Sequence, residues 1–150
     1  MTNAVCESKN KSWVTFESCR LHALQRNKTI LNLFATFLQP TNSITLRLQV
    51  QKRANGFKPW VIDINFDVCQ FLKSKKNKVA KVVYDLFKDF SNINHSCPFM
   101  GKQVISGFYP TVDKLPHVMP TGDYVLLMTW KFYEKIQFVT NVYFTFIEDF

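Results

Sequence analysis

The chain has 150 residues, a net charge of +8, and a composition that is 47% hydrophobic and 15% aromatic, with fifteen Phe. That length fits one domain, 1–150, burying about 70% of its unfolded surface, and hydrophobicity at this level excludes a disordered chain. No apolar run approaches the roughly 18 residues of a membrane-spanning helix. The charge permits nucleic acid, an anionic membrane or an acidic ligand as partner and selects none of them.

Residues 13–24 show a broken alternation, which predicts a strand with a bulge or a switch between sheets near Cys19. Residues 29–38 are apolar on both faces and end at the turn sequence QPTNS. Residues 43–51 read as a clean strand, with Ile44, Leu46, Leu48 and Val50 on one side and Thr45, Arg47 and Gln49 on the other. Asn55-Gly56 is a hairpin signal, because a type I′ turn needs positive φ at both central residues. The returning strand carries Trp60, Ile62, Ile64 and Phe66 opposite Asp63, Asn65 and Asp67, and it ends on Cys69.

A single helix is predicted over about residues 77–90. Its apolar stripe of Val79, Val82, Val83, Leu86, Phe87 and Phe90 lies behind the basic run KSKKNKVAK. That run reads as a solvated face, with Lys75, Lys76, Lys78 and Lys81 toward water or toward anionic headgroups. Without interleaved aromatics it does not resemble a single-strand groove, so no nucleic-acid partner is expected. Past Cys97, QVISGFYP is a short strand stopped by Pro110, and KLPHVMPTGDY is a Pro-rich loop. Two further strands follow, with Tyr124, Leu126, Met128, Trp130 and Phe132 on one face of the first and Phe138, Val142, Phe144 and Phe146 on the second. Seven or so antiparallel strands with one inserted helix predict a mainly β, immunoglobulin-like two-sheet sandwich. Because several strands are apolar on both faces, the interior is either a thick core or a cavity between splayed sheets; periodicity does not separate the two.

No catalytic apparatus is legible. His22 lies in a strand, His95 beside a sequon and His117 in a Pro-rich loop, and no Gly-x-Ser-x-Gly is present. Asp63, Asn65 and Asp67 have the spacing of a polar outer strand face, with no His or Glu placed to complete a metal site. Four glycines include no phosphate-cradling loop. A non-enzyme without metal or cofactor is expected.

Cys6, Cys19, Cys69 and Cys97 form an even set without CxxC, which argues against a zinc site or a redox pair. Three glycosylation sequons, at Asn10, Asn27 and Asn94, accompany them. Together these predict a secreted, extracellular glycoprotein with disulfide bonds. The opening MTNAVCESKNK lacks an apolar leader, so the chain is read as a mature form or one without its leader; a cytosolic protein is the alternative.

The stretches NGFKPWVIDINFDVCQFLK, VYDLFKDFSNINHSCPF and MPTGDYVLLMTW resemble a large family of small secreted insect proteins with a domain of unknown function. That family is similar to the ML lipid-recognition superfamily, near the ganglioside-activator proteins and insect chemosensory relatives. The likeness spans roughly residues 4 to 149. It implies a cup-shaped sandwich with Cys69–Cys97 stapling the helical excursion and Cys6–Cys19 pairing across the first hairpin. No cysteine follows Cys97, so the clasp that ties the N-terminal region of many ML proteins to the last strand is missing.

With the aromatic excess, the resemblance implies a monomeric binding protein for a lipid or other hydrophobic molecule, in chemosensation or lipid transfer. The expected cavity wall is Phe34, Leu46, Leu48, Trp60, Ile62, Ile64, Phe66, Phe87, Phe108, Leu126, Met128, Trp130 and Phe144. The alternative is an extracellular recognition module with a solid core, acting through its surface on a membrane receptor.

Overall fold

The computed structural model describes residues 1–25, 28–53, 56–109 and 121–146, with side chains throughout except at 57–61. The strands are β1 (Asn3–Ser8), β2 (Val14–Gln25), β3 (Lys28–Thr41), β4 (Ile44–Arg53), β5 (Phe57–Asp67), β6 (Phe99–Phe108), β7 (Gly122–Phe132) and β8 (Lys135–Phe146). They form two antiparallel sheets, β1-β8-β7-β4-β5 and β2-β3-β6, so the two-sheet sandwich is correct. Asn55 of the proposed turn, the Asn27 sequon, His117, Pro110 and most of the Pro-rich loop lie outside the described residues, as does the Trp60 side chain.

The clean alternation in β4 becomes its burial pattern. Ile44, Leu46, Leu48 and Val50 are buried, and Arg47 between them is exposed. On the outer face Arg47 donates from Nε and Nη2 to the two carboxylate oxygens of Asp63 at 3.1 and 3.0 Å. This hydrogen-bonded guanidinium holds the Asp63 carboxyl below its ordinary range. Asp67, by contrast, leaves the strand face and accepts from the Gln70 backbone N–H at 3.0 Å. The β7–β8 hairpin turns on Tyr133 and Glu134, both at positive φ, the geometry whose twist matches the flanking strands. In β2 the pairing with β3 shifts register between Phe16 and Ser18 and again between Ala23 and Gln25, which places one predicted bulge just before Cys19.

The helical segment differs from the predicted one. It is two helices, α1 (Val68–Ser74) and α2 (Lys78–Phe87), followed by a 3-10 turn at Lys88–Phe90. Strand β5 therefore ends at Asp67, not at Cys69, because Asp67 caps α1. The D-x-x-Q spacing of Asp67 and Gln70 is a helix-start signal inside what reads as a strand. Asn77 caps α2, accepting from the Val79 and Ala80 N–H groups at 3.1 Å each. Caps of this kind contribute about 1 kcal/mol each. Ala80 and Tyr84 of α2 pack with Phe71 of α1, and the Tyr84 hydroxyl donates to Ile93 O at 2.9 Å. The basic face is only partly free. Lys81 and Lys88 both pair with Asp85, and Lys75 lies over the Tyr84 ring.

Both disulfides form, Cys6–Cys19 and Cys69–Cys97. The first does not cross a hairpin. Strand β1 pairs with β8 rather than β2, so Cys6 and Cys19 sit in different sheets and their bond joins the β1 edge of one to the β2 edge of the other. On the opposite side, the chain from β5 to β6 carries α1 and α2 from the other edge of the first sheet to that of the second. Cys69–Cys97 fastens this bridge internally. Each open side of the sandwich thus has one covalent tie.

Candidate functional site

Between the sheets lies a cavity of about 500 Å³. Cross-strand registry explains how it is assembled. Leu46, Leu48 and Val50 on β4 stand opposite Trp130, Met128 and Leu126 on β7, which in turn face Phe138, Thr140 and Val142 on β8. The second sheet supplies Leu31, Leu33, Ala35 and Phe37 from β3, with Gln103, Ile105 and Phe108 from β6. Val79, Val82, Val83, Leu86 and Phe87 of α2 border it as well, so part of the predicted apolar stripe lines the hollow. Val82 is 39% exposed, and with the exposed Lys78 it marks where this helix reaches solvent beside the cavity.

Ten of the thirteen expected wall residues border the cavity: Leu46, Leu48, Ile62, Phe66, Phe87, Phe108, Leu126, Met128, Trp130 and Phe144. Phe34 does not. It pairs with Ser18 and Val104 on the opposite face of β3 from Leu33 and Ala35, because a strand apolar on both faces does not reveal which face points inward. Ile64 pairs with Leu48 and packs in the core without reaching the cavity. Trp60 lies outside the described side chains.

The core is filled by a ring cluster at one end, two of whose members, Phe37 and Phe138, also border the cavity. At the filled end Phe132 meets Trp13, Phe37 and Phe138 at ring-centroid distances of 5.3, 5.2 and 6.0 Å, edge to face. In the hollow part Trp130 stacks on Phe138 at 5.4 Å and donates from Nε1 to the Thr140 hydroxyl at 3.0 Å. Thr140 and Gln103 are the buried polar side chains of the wall, 4% and 6% exposed. The reading of the sequence missed both. Thr140 breaks the apolar series of Phe138, Val142 and Phe144, and that interruption was the available signal; Gln103 interrupts no such series.

The residues considered for chemistry are dispersed. His22 is exposed on β2, while His95 stacks on Phe99 at 4.4 Å. Among the described residues no three His, Cys, Asp or Glu side chains gather to hold a metal. Of the sequons within the described residues, Asn94 is exposed. Asn10 instead spends its side chain locally, donating from Nδ2 to Gln137 Oε1 at 3.0 Å and accepting from the Ser12 hydroxyl at 2.6 Å.

No curated protein matches the chain. A family model does match, over residues 46–126. The matched region runs from β4 through β5, both helices and β6 into the start of β7, and so takes in the cavity-bordering part of α2. Since it covers more than half of the chain, the protein belongs to that family, described as a protein of unknown function (DUF1091).

Proposed function

We propose that the protein is an extracellular carrier for a lipid or similar apolar molecule held between its sheets. The observation that carries this reading is the cavity of about 500 Å³ with its nearly all-apolar wall. Binding sites for small apolar ligands have volumes of roughly 300–1,000 Å³ and linings of this kind. Protein interiors otherwise pack without voids much larger than a water molecule. Side chains around an empty hollow forfeit the packing contacts that a filled core supplies, at a cost to stability. An occupant removes that cost. The resemblance to ML lipid-recognition proteins supports the same reading, with chemosensation or lipid transfer as its setting.

The test is native mass spectrometry of protein made in eukaryotic cells, paired with Ala35→Phe. Ala35 is buried and borders the cavity, so the larger ring has space to enter. In a filled core such an enlargement costs about 1–3 kcal/mol or more. Here the variant is expected to unfold at the same or higher denaturant concentration than ligand-free wild type, and to lose the apolar adduct that wild type carries. A destabilised variant, together with a wild type that carries nothing and binds no fluorescent fatty-acid probe, would sink the carrier reading.

Secretion is supported by the two disulfides, which persist in oxidising compartments. Exposed Asn94 is the expected glycan site, since a sugar on Asn10 Nδ2 would compete with its bond to Gln137. Glycosidase treatment of protein from secretory cells should lower its mass, and Asn94→Gln should reduce that change while Asn10→Gln leaves it. No mass change in wild type would count against secretory passage with glycosylation.

A further inference from the structure

We infer that the cavity selects an apolar molecule bearing an uncharged hydroxyl group, with Gln103 Oε1 as the acceptor that recognises it. This rests on the carrier reading above and narrows it to a ligand class. Gln103 lies on the inner face of β6 opposite Ala35 and is 6% exposed. Its Nε2 donates, at 3.4 and 3.5 Å, to the carbonyl oxygens of Met100 and Gly101. Two carbonyls on one side fix the amide orientation, because only the NH2 end can face them. Oε1 then receives no hydrogen bond among the described residues, on a side chain that borders the cavity. Thr140, on the other sheet, is 4% exposed. Its oxygen accepts from Trp130, and its hydroxyl proton has no acceptor among the described residues. Native structures leave few buried polar groups unpaired.

The unspent acceptor discriminates among ligands by what each can offer it. An alcohol brings a proton for Oε1. An alkane, an ester or a ketone brings none, and the acceptor stays unsatisfied beside it. An ionised carboxylate or phosphate brings only further acceptors and negative charge into an apolar space, where an unpaired charge is costly. The charged side chain of the wall, Lys78, is exposed on α2.

The experiment compares hexadecanol, methyl hexadecanoate, hexadecane and ionised hexadecanoate as competitors for a fluorescent probe in the delipidated protein. Hexadecanol is expected to bind roughly tenfold tighter than methyl hexadecanoate, as one satisfied buried hydrogen bond implies, and hexadecanoate is expected to bind weakest. Gln103→Met should equalise the alcohol and the ester, the alcohol losing its bond while the ester and hexadecane, beside which the acceptor had no partner, bind no less tightly than before. The wild-type comparison keeps the inference falsifiable even where that variant folds poorly. Equal affinities for alcohol and ester in wild type would overturn the inference and leave the carrier reading standing. Tightest binding of hexadecanoate, lost in Lys78→Gln, would overturn it in favour of an anionic head held at the rim. If none of the four binds, the carrier reading itself fails.

Discussion

Phe132→Ala is expected to lower folding stability by about 3–5 kcal/mol, the range for large aromatic truncations in a filled core. Phe132 is 1% exposed and makes edge contacts with Trp13, Phe37 and Phe138. Each such pair adds roughly 0.5–1.5 kcal/mol beyond its buried area. The neighbours come from β3, β8 and the segment entering β2, so they cannot all move into the space vacated. Leu126→Ala provides the contrast. That side chain faces the cavity, already lacks partners on one side, and should cost less than half as much. Urea unfolding of the two variants, ligand-free and with equal m-values, measures both. Equal losses would mean that the interior is uniformly filled, against the cavity described above.

Replacing Cys69 and Cys97 together by Ala is expected to cost roughly 3–4 kcal/mol, and replacing Cys6 and Cys19 about 3, from the chain entropy that each cross-link removes in the unfolded state. The order follows from sequence separations of 28 and 13 residues. Against a typical domain stability of about 5–15 kcal/mol, either loss is severe. The two should also differ in kind. Without Cys69–Cys97, α1 and α2 are held by the Phe71, Ala80 and Tyr84 cluster, their caps and their packing on the sheets. Amide exchange should therefore accelerate across residues 68–87 before it does in β4. Without Cys6–Cys19, the acceleration should fall on β1. A loss below about 1 kcal/mol for Cys69–Cys97 would show that the segment it closes is already constrained in the unfolded chain.

Much of the architecture was legible where one strand face is buried and the other is wet. Strand β4 and the strands of the β7–β8 hairpin follow from alternation, because burial imposes a period of two, and the pairing of β4 with β5 from the Asn55-Gly56 hairpin signal between them. Strand β1 escaped notice since Asn3–Ser8 is short and carries one large aliphatic residue, Val5, which is exposed. Helix α1 was hidden by continuity: the apolar residues Val68, Cys69, Phe71 and Leu72 follow an alternating strand directly, and only Asp67 and Gln70 announce the change. The inward face of β3 was not legible because Phe34 is as apolar as Leu33. The cavity was beyond periodicity altogether. Alternation reports which way a side chain points and says nothing of how far away the opposite sheet lies. Of the inward polar residues Gln103 and Thr140, the second is the exception. Thr140 interrupts the series of Phe138, Val142 and Phe144, and both residues are buried where the structure leaves hydrogen-bonding capacity unspent among the described residues.

The two register shifts in β2 bear on what other chains can do to this one. A strand with only one paired neighbour in its sheet offers its free backbone groups to any extended segment that matches their spacing. Strand β2 is twelve residues long and pairs with β3 alone. Its irregularities at Phe16/Ser18 and Ala23/Gln25 divide that template into short runs, while exposed Glu17, Arg20 and His22 place polar side chains along it. An incoming strand would have to match both offsets to zip along the whole length. The two bulges therefore guard this edge against edge-to-edge aggregation.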